Sequence, residues 1–355
     1  MPRGGSMDAL TLDDLDRGLI HALQVDGRAS FTLVAELLGC STQTVVRRYR
    51  RLYARAGLRV VALPSPRSSG AHQWFVRLTA ATRAAHDIAV ALARRPDTSW
   101  VRLTSGGTEI VAIIHTTASG PDPHALLLRD IPRTTGITGV SAHYLLHTYL
   151  GGPTAWRGRV GTLDASQEAR LRAADGTTGP TPVRQTESGT GTEAAAGARA
   201  PDPRGPAYRL GDADRLLLAA LREDARLSYA ELAAATGASA STVARRLTEL
   251  RSRDALFLDV DIEPSVLGVT VSALLWMQVA PAHLEAVATE LAGHQELAVV
   301  AATTGPTNLV AHALCRDAGE LHHYLTRKVA LETVDRIETA PVLRTYKAAV
   351  TLRTG

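Results

Sequence analysis

Two short segments of this 355-residue chain combine hydroxyl side chains with arginines in a pattern suited to nucleic acid. Arginine offers a planar fork of donors that matches phosphate groups and guanine edges. Hydroxyls and free amides at the start of a helix suit phosphate oxygens. We therefore predict double-stranded DNA as a partner, contacted by Ser41, Thr42, Gln43, Thr44, Arg47, Arg48, Arg50 and Arg51 in the first segment and by Ser239, Ser241, Thr242, Arg245, Arg246 and Arg251 in the second.

The two segments belong to an internal repeat. Residues 12–52 align with residues 210–250 at an offset of 198, without a gap. A weaker repeat relates residues 104–112 to residues 303–311 at an offset of 199. Self-similarity at a fixed spacing indicates repeated structural units. The sequence therefore predicts two copies of one module that has two parts.

The first part of each copy carries the start and stop signals of three short helices. Serine and aspartate are favoured as N-caps, and glycine ends helices in the left-handed conformation. The predicted N-caps are Asp13 or Asp14, Ser30 and Ser41 in the first copy and Asp212, Ser228 and Ser239 in the second, and the predicted stops are Gly39 and Gly237. This order predicts a helix-turn-helix, which presents its last helix to a major groove.

The third helix of each copy has an apolar face at positions i, i+4 and i+7. These core residues are Val45, Tyr49 and Leu52 in the first copy and Val243, Leu247 and Leu250 in the second. On the opposite face, Gln43 and Arg50 of the first copy correspond to Ser241 and Thr248 of the second. The two reading surfaces therefore differ. The alternative is a helical hairpin used only for packing, with its arginines as a solvated face.

The second part of each copy reads as strand–helix–strand–strand–helix–strand. In the first copy the predicted strands are 73–78, 100–104, 110–115 and 139–146, and the helices are 83–93 and 123–131. In the second copy the strands are 270–279, 297–303, 309–315 and 337–346, and the helices are 283–292 and 318–329. This is the ferredoxin-like order, in which helices cover one sheet face. The uncovered face predicts pairing with another copy.

Composition limits the class of protein further. The chain is 45% hydrophobic and 21% charged, and its two cysteines, Cys40 and Cys315, exclude a disulfide framework. The longest near-apolar run, around residues 269–280, is shorter than the ~18 residues that span a bilayer, and the N-terminus lacks a signal-peptide pattern. We expect a cytoplasmic protein without membrane contact. No H-E-x-x-H, P-loop or G-x-S-x-G motif occurs, so we expect no enzyme, cofactor or metal site.

The repeat resembles the Lrp/AsnC family of bacterial and archaeal transcription regulators. The residues that carry the resemblance are Asp16, Leu23, Asp26-Gly-Arg28, Ser41-x-x-Thr44 and Arg48 with their counterparts in the second copy, and Gly268, Thr304-Gly305-x-x-Asn308, Thr339, Val342-Leu343 and Lys347. The resemblance implies a DNA-binding regulator whose ferredoxin-like domains dimerise and bind small molecules, often amino acids, in clefts between subunits.

Carried over residue by residue, the resemblance implies an effector site at two turns. Its residues are Thr304, Gly305, Thr307 and Asn308 in the second copy and Ser105, Gly106 and Glu109 in the first. Asn308 and Glu109 replace the aspartate that the family usually has there. Asp254 replaces a glycine of the family pattern that Gly57 keeps.

We therefore predict an α+β protein with two winged helix-turn-helix domains (8–60 and 208–262) and two ferredoxin-like βαββαβ domains of the Lrp/AsnC ligand-binding type (70–150 and 268–350) in tandem. A flexible linker at 151–207, in which local propensity favours a short helix at 163–174, would span ~40 Å, so the copies can pair into a pseudo-dimer that reads unequal DNA half-sites. Homo-oligomers are expected to form through the βαββαβ domains. The alternatives are a fused haem-pathway (sirohaem-type) decarboxylase of the same architecture, and a sensor that has lost DNA binding.

Overall fold

The computed structural model describes residues 10–65, 71–117, 124–151, 160–175, 210–253, 255–349 and 351–353. Most of the predicted linker lies outside these ranges. Every helix within them is too short or too polar to cross a bilayer.

The helices and strands of the described residues follow the repeat. The α-helices are α1 (Asp14–Val25), α2 (Phe31–Leu37), α3 (Thr42–Arg55), α4 (Ala85–Arg94), α5 (Ala165–Asp175), α6 (Asp212–Glu223), α7 (Tyr229–Thr236), α8 (Ala240–Ser252), α9 (Leu284–Ala292) and α10 (Ala318–His323). The strands are β1 (Arg59–Pro64), β2 (Ala71–Ala80), β3 (Thr98–Thr104), β4 (Glu109–Thr117), β5 (Ile137–Leu150), β6 (Leu256–Asp261), β7 (Val271–Val279), β8 (Leu297–Thr303), β9 (Leu309–Cys315), β10 (Val334–Thr345), β11 (Lys347–Ala348) and β12 (Thr351–Leu352). Two π-helical turns occupy Leu126–Asp130 and Tyr324–Lys328.

Side-chain caps fix where the helices of both helix-turn-helix units begin. Each of the capping side chains accepts a hydrogen bond from a backbone amide one turn ahead, which satisfies a donor that the helix itself leaves unpaired. The predicted caps are confirmed at Asp13, Ser30, Ser41, Ser228 and Ser239. Gly39 and Gly237 adopt φ angles of +64° and +70° at the predicted turns, a conformation that glycine reaches without steric cost.

One predicted cap is wrong. Helix α6 begins at Asp212, and its N-cap is the preceding residue, Gly211. The amide of Gly211 donates to Asp214 Oδ2 at 2.9 Å. The cap shifts by one residue because the buried carboxylate of Asp214 reaches back to the chain entry, as Asp16 does in the first copy.

The two helix-turn-helix units pair with each other inside the chain. Strands β1 and β6 form an antiparallel two-stranded sheet in which Arg59 lies opposite Asp261 and Pro64 opposite Leu256. A single hydrophobic core runs through both units and includes Leu23, Leu52, Val60, Leu221 and Leu250. Full burial of one leucine side chain contributes ~2 kcal/mol, so this shared core holds the two units together.

Eight strands close into a barrel in the order β10-β3-β4-β2-β5-β8-β9-β7. The first copy supplies β3-β4-β2-β5, and the second copy supplies β8-β9-β7-β10. Antiparallel pairing joins the two halves at two seams, where Val342 lies opposite Thr104 and Leu145 lies opposite Thr303. Closure pairs the edge strands of each half with the other half, so neither half keeps an open edge.

The inward faces of the two half-sheets cover each other. Phe75 and Val111 of the first copy belong to one apolar cluster with Leu274, Trp276 and Val310 of the second. The rings of Phe75 and Trp276 meet edge to face, with centroids 5.9 Å apart. Outside the barrel, α4 and the first π-helical turn cover one half, and α9, α10 and the second π-helical turn cover the other. The predicted helices 123–131 and 318–329 therefore contain π-helical turns.

Part of the predicted linker is ordered against the first helix-turn-helix. Val160 and Leu171 are buried in the core shared by the two units. Gln167 Nε2 in α5 donates to the Leu37 carbonyl at 2.7 Å, and the amide of Leu163 donates to His21 Nδ1 at 3.0 Å. Helix α5 agrees with the short helix predicted at 163–174. The prediction of a flexible linker is wrong for residues 160–175, because their apolar side chains bury against α1 and α2.

Candidate nucleic-acid interface

Helices α3 and α8 present their N-terminal turns to solvent. The Ser41 hydroxyl accepts from the Thr44 amide at 3.1 Å, and the Ser239 hydroxyl accepts from the Thr242 amide at the same distance. The predicted polar contacts at these turns are all exposed or partly exposed: Ser41, Thr42, Gln43, Thr44, Ser239, Ser241 and Thr242. The partial positive charge of each helix N-terminus therefore faces solvent, where it can attract phosphate.

Three of the predicted arginines lie free on this surface. Arg47 and Arg50 of α3 and Arg245 of α8 are exposed. None of them forms an ion pair with a residue in the described part of the chain. Arg47 and Arg245 occupy corresponding positions of the repeat. These guanidinium groups can neutralise phosphates without giving up an internal contact.

The neighbouring arginines of α3 are engaged inside the protein. Arg48 pairs with Asp13 and also lies 3.2 Å from Asp16 Oδ2, and Arg51 pairs with Asp16 as well. The Asp16 side chain is completely buried. Burial raises the pKa of Asp13, but hydrogen bonds from the Asp16 amide and from Arg48 lower it by more. The pKa of Asp13 therefore lies below its usual value. Arg48 and Arg51, both predicted to contact DNA, thus hold α3 against α1.

The second copy repeats this arrangement. Arg246 Nη2 lies 2.7 Å from Oδ2 of Asp214, which is as buried as Asp16, and Arg246 Nη1 lies 2.9 Å from Glu249. Arg251 reaches the other copy, where it lies 3.4 Å from Asp26. Arg246 and Arg251 were also predicted to contact DNA, and both are held by carboxylates. A signal for this role exists in the sequence, since Asp16 and Asp214 recur at the same offset as the arginines that they pair with.

Two further arginines join the helix-turn-helix units in a reciprocal manner. Arg226 donates to the carbonyls of Gly27 at 2.7 Å and Ala29 at 3.0 Å. At the corresponding position, Arg28 donates to the carbonyls of Ala225 and Leu227 in the second unit. We call Arg28 and Arg226 the arginine clamp. The two residues occupy corresponding positions of the repeat, and their spacing alone does not indicate this role.

Aromatic rings support both guanidinium groups of the clamp. Arg226 lies over Phe31, 4.3 Å from the ring centroid, and Arg28 lies over Tyr229 at 5.1 Å. Burial lowers the pKa of Arg226, although an arginine stays charged at neutral pH. The clamp therefore fixes the orientation of one helix-turn-helix unit relative to the other.

In the predicted effector turn of the first copy, the Glu109 side chain points into the barrel. Glu109 accepts from Arg77 Nε at 2.8 Å and from the Ser105 hydroxyl at 2.9 Å. The amide of Ser105 donates to the Pro341 carbonyl of the second copy at 3.1 Å. Ser105 and Gly106 stay exposed. Of the three predicted residues, Glu109 is thus satisfied by the protein itself.

In the second copy, the predicted effector residue Asn308 ties two strands together. Its side chain accepts from the Val279 amide at 2.9 Å and donates to the Val279 carbonyl at 2.8 Å. The carbonyl of Thr307 accepts from the Thr303 hydroxyl at 3.2 Å. The Asn308 side chain therefore links the start of β9 to the end of β7.

The rest of this turn contacts the first copy. The amide of Thr304 donates to the Tyr144 carbonyl at 2.9 Å. A Cβ atom on Gly305 would lie 2.5 Å from His143 Nδ1, and the glycine has a φ angle of +107°. Thr304 and Gly305 are exposed at the seam between the two halves of the barrel. Both turns therefore join the copies, and their outer sides face solvent.

No group of three or more histidine, cysteine, aspartate or glutamate side chains within the described ranges is arranged to hold a metal ion. The arrangement best suited to bind a ligand is the pair of exposed, arginine-bearing helices α3 and α8. The clamp, the β1–β6 sheet and the barrel hold these two helices in place.

Comparisons with protein families agree with this geometry. The model of the AsnC-type helix-turn-helix domain matches residues 12–53 and again residues 210–251. The model of the Lrp/AsnC ligand-binding domain matches residues 272–352.

Two relatives resemble one copy of the repeat. The HTH-type transcriptional regulator FL11 of Pyrococcus furiosus is 27% identical over 145 residues, which cover 40% of this chain and 95% of FL11. Regulatory protein AsnC of Escherichia coli K12 is 28% identical over 151 residues, which cover 39% of this chain and 97% of AsnC.

A solved structure matches both copies together. The siroheme decarboxylase NirDL aligns with a TM-score of 0.57 over 95% of this chain and 93% of its own, at 11% sequence identity. A likeness at this identity shows a common fold. The twice-matched helix-turn-helix, the matched ligand-binding domain and the relatives named as regulators show that the chain belongs to the Lrp/AsnC family of transcriptional regulators.

Proposed function

We propose that this protein is a sequence-specific regulator that binds double-stranded DNA with both helix-turn-helix units of one chain. The observation that supports this most strongly is the pairing of the two copies. The β1–β6 sheet, the closed barrel and the arginine clamp fix α3 and α8 relative to each other. In that arrangement Arg47, Arg50 and Arg245 stay exposed, so one folded chain offers two positive surfaces to a duplex.

The domain organisation proposed for this function is a tandem duplication. Each copy consists of a helix-turn-helix domain (8–60 or 208–262) and a ferredoxin-like βαββαβ domain (70–150 or 268–350), and the copies form a pseudo-dimer. The element order of the two copies supports this division. The segment between residues 175 and 210 then connects two halves that already touch.

The two halves are proposed to read different half-sites. Gln43 of α3 faces solvent where α8 has Ser241, and Arg50 faces solvent where α8 has Thr248. Glutamine pairs with adenine edges and arginine with phosphates or guanine, whereas serine and threonine discriminate less. The first half-site therefore dominates sequence recognition.

A small-molecule effector is proposed at the outer sides of the two turns. Ser105, Gly106, Thr304, Gly305 and Thr307 are exposed or partly exposed there. Glu109 and Asn308 position these turns, since both side chains are engaged by the protein. An amino acid bound at a seam between the copies would act on their relative placement.

Further copies of the chain are proposed to associate through the outer surfaces of the barrel. Because the proposed target is chromosomal DNA, we expect the protein in the cytoplasm.

The fold shared with NirDL gives the second candidate, a decarboxylase. A fold hosts unrelated functions, so the function has to be argued from a site. Incubation of the full-length protein with sirohaem and detection of released carbon dioxide tests this candidate. We expect no release.

DNA binding is tested by selecting bound fragments from the host genome with the full-length protein. The affinity of a selected fragment is then measured by fluorescence anisotropy over a range of salt concentrations. Because each lost phosphate contact reduces the slope of log K against log salt by about 0.9, we expect Arg47→Gln and Arg245→Gln each to flatten the slope by about that amount.

The matched control is Arg83→Gln, which removes an exposed arginine on the barrel half of the first copy. This variant should bind with the unchanged slope. Failure to select any fragment, or equal slopes for Arg47→Gln and Arg83→Gln, would contradict the proposed interface. Retained binding of amino acids by a protein that selects no fragment would favour a sensor without DNA binding.

A further inference from the structure

An arginine lies buried in the barrel interior. Arg102 in β3 is 5% exposed. Its Nη2 lies 3.4 Å from His312 Nδ1, and its guanidinium group lies 5.0 Å from the Trp100 ring centroid. No carboxylate in the described part of the chain pairs with it. Desolvation alone lowers the pKa of Arg102 to about 10.

A distortion of β3 turns this side chain inward. Ser99 lies opposite Ile113 and Arg102 lies opposite Val111, so two residues of β3 fall where β4 has one. The extra residue is Trp100, whose φ angle is +53°. Such a bulge reverses the alternation of side chains along a strand. Without it Arg102 would point to the helix-covered side, and the strand accepts an unfavourable backbone conformation to place a charge in the barrel.

The second copy supplies polar groups beside the guanidinium. His312 Nε2 lies 2.6 Å from the Ser272 hydroxyl. Burial and the charge of Arg102 keep the pKa of His312 well below its usual value, so the imidazole is neutral. Because a guanidinium group only donates, Nδ1 accepts and the imidazole proton lies on Nε2. The Ser272 hydroxyl oxygen therefore accepts a hydrogen bond from Nε2–H of His312, and its own O–H can donate to another partner.

A second arginine of the barrel, Arg77, is paired with carboxylates. Arg77 in β2 bonds to Glu109 and to Glu338, and it lies over the ring of Trp276. Arg102 has the aromatic ring and lacks the carboxylates. A buried charge is ordinarily paired because an unpaired one loses its hydration without compensation. Among the described residues, Arg102 lacks such a partner.

The two copies differ at this place. At the repeat offset of 199, Arg102 corresponds to Ala301 and Ser272 corresponds to Gln73. The Gln73 side chain is engaged with His115, since its Nε2 lies 3.3 Å from His115 Nδ1. Among the described residues, the corresponding position of the other copy therefore carries no such site.

We propose that Arg102 and the Ser272 hydroxyl bind a small carboxylate that carries no α-amino group. A carboxylate matches the guanidinium fork of Arg102, and a hydroxyl such as that of Ser272 can donate to a carboxylate oxygen. An amino acid would bring an ammonium group, and the described residues around Arg102 provide no carboxylate for it. The site is separate from the two exposed turns and goes beyond the proposed binding of DNA.

The test uses the full-length protein in a buffer free of carboxylate and phosphate. Acetate, glycine and inorganic phosphate are the probes, and calorimetric titration and the shift of Tm are the measurements. A ligand that binds only the folded state raises Tm in a saturable way. We expect saturable binding of acetate, with glycine and phosphate each at least about tenfold weaker.

Variants locate the site. Arg102→Met should abolish acetate binding while its Tm without acetate stays equal or rises, because it removes an unpaired buried charge. Ser272→Ala should weaken acetate about tenfold, and Gln73→Ala, the matched change in the other copy, should leave the affinity unchanged. If Arg102→Met does not fold, Arg102→Lys keeps the charge without the fork and should lose at least tenfold.

Three results would overturn the proposal: no saturable acetate binding by the unmodified protein, equal acetate affinity of Arg102→Met or Arg102→Lys, and tighter binding of phosphate or glycine than of acetate. Since these measurements contain no DNA, they are independent of the outcome for the DNA interface.

Discussion

Replacing Arg226 with alanine should loosen both helix-turn-helix units, although the change lies in only one of them. The variant removes the hydrogen bonds to Gly27 and Ala29 and the contact with the Phe31 ring. A hydrogen bond from a charged group contributes ~1.5–3 kcal/mol, and a cation–π contact ~0.5–2 kcal/mol. Because Arg226 is half-buried and water replaces part of these contacts, we expect the free energy of unfolding to fall by about 3 kcal/mol.

Hydrogen exchange of the full-length protein locates the effect. Protection should fall in the second unit, around Arg226, and also in the first unit, around residues 27–31, where the lost contacts end. Urea unfolding followed by far-UV circular dichroism, which reports the loss of the helices, gives the change in stability. The matched control is Arg215→Ala in the same unit, whose side chain is 69% exposed and pairs only with Asp212 among the described residues. This control should leave both readouts unchanged.

A DNA measurement separates positioning from phosphate contact. Arg226 faces the other unit, so Arg226→Ala should lower the affinity for a selected fragment and keep the salt slope of the unmodified protein. A slope reduced by about 0.9, as expected for Arg47→Gln, would show that Arg226 contacts a phosphate. Unchanged stability, or a loss of protection confined to the second unit, would refute the clamp.

Two further predictions concern buried titratable groups. Asp16→Asn should lower the free energy of unfolding by about 3 kcal/mol, because it leaves Arg48 and Arg51 without their buried partner. The control measured in the same urea unfolding is Asp212→Asn, at a side chain that is 95% exposed, and it should change the stability little. Similar losses for both variants would contradict the role of Asp16. Desolvation, together with the charges of Arg222 and Lys347, lowers the pKa of His115 to about 4. Below pH 6.5 the unfolded chain therefore binds a proton at His115 that the folded chain does not bind. The free energy of unfolding should fall by up to about 3 kcal/mol as the pH drops from 6.5 toward 4. His115→Gln should remove that part of the pH dependence in unfolding measured between pH 4 and 8, and an identical profile for both proteins would show that His115 is not desolvated.

Local signals in the sequence predict local structure well in this chain. Ser30, Ser41, Ser228 and Ser239 act as N-caps because a cap depends on residues one turn away. Asp212 fails as a cap by one position, because an acid in the first turn can serve either as the cap or as the group that reaches back to it. The order of strands and helices in both copies likewise follows from periodicity along the chain.

Contacts between distant residues are what the sequence leaves open. Periodicity places Arg47 and Arg48 side by side on α3, yet only Arg48 meets a carboxylate, 32 residues earlier in the chain. Whether an arginine faces solvent or a buried acid depends on the crossing of α1 and α3. In the same way, the bulge at Trp100 decides on which side of β3 the Arg102 side chain lies. The residue types around Trp100 do not predict this bulge.

The closed barrel and the shared core also determine how the amount of protein sets the number of occupied operators. Two separate subunits would come apart on dilution, so the concentration of paired units would rise with the square of expression at low levels. Here both halves belong to one polypeptide, and their local concentration is fixed by the connecting chain. Operator occupancy should therefore grow in proportion to the number of chains, even when a cell contains only a few of them.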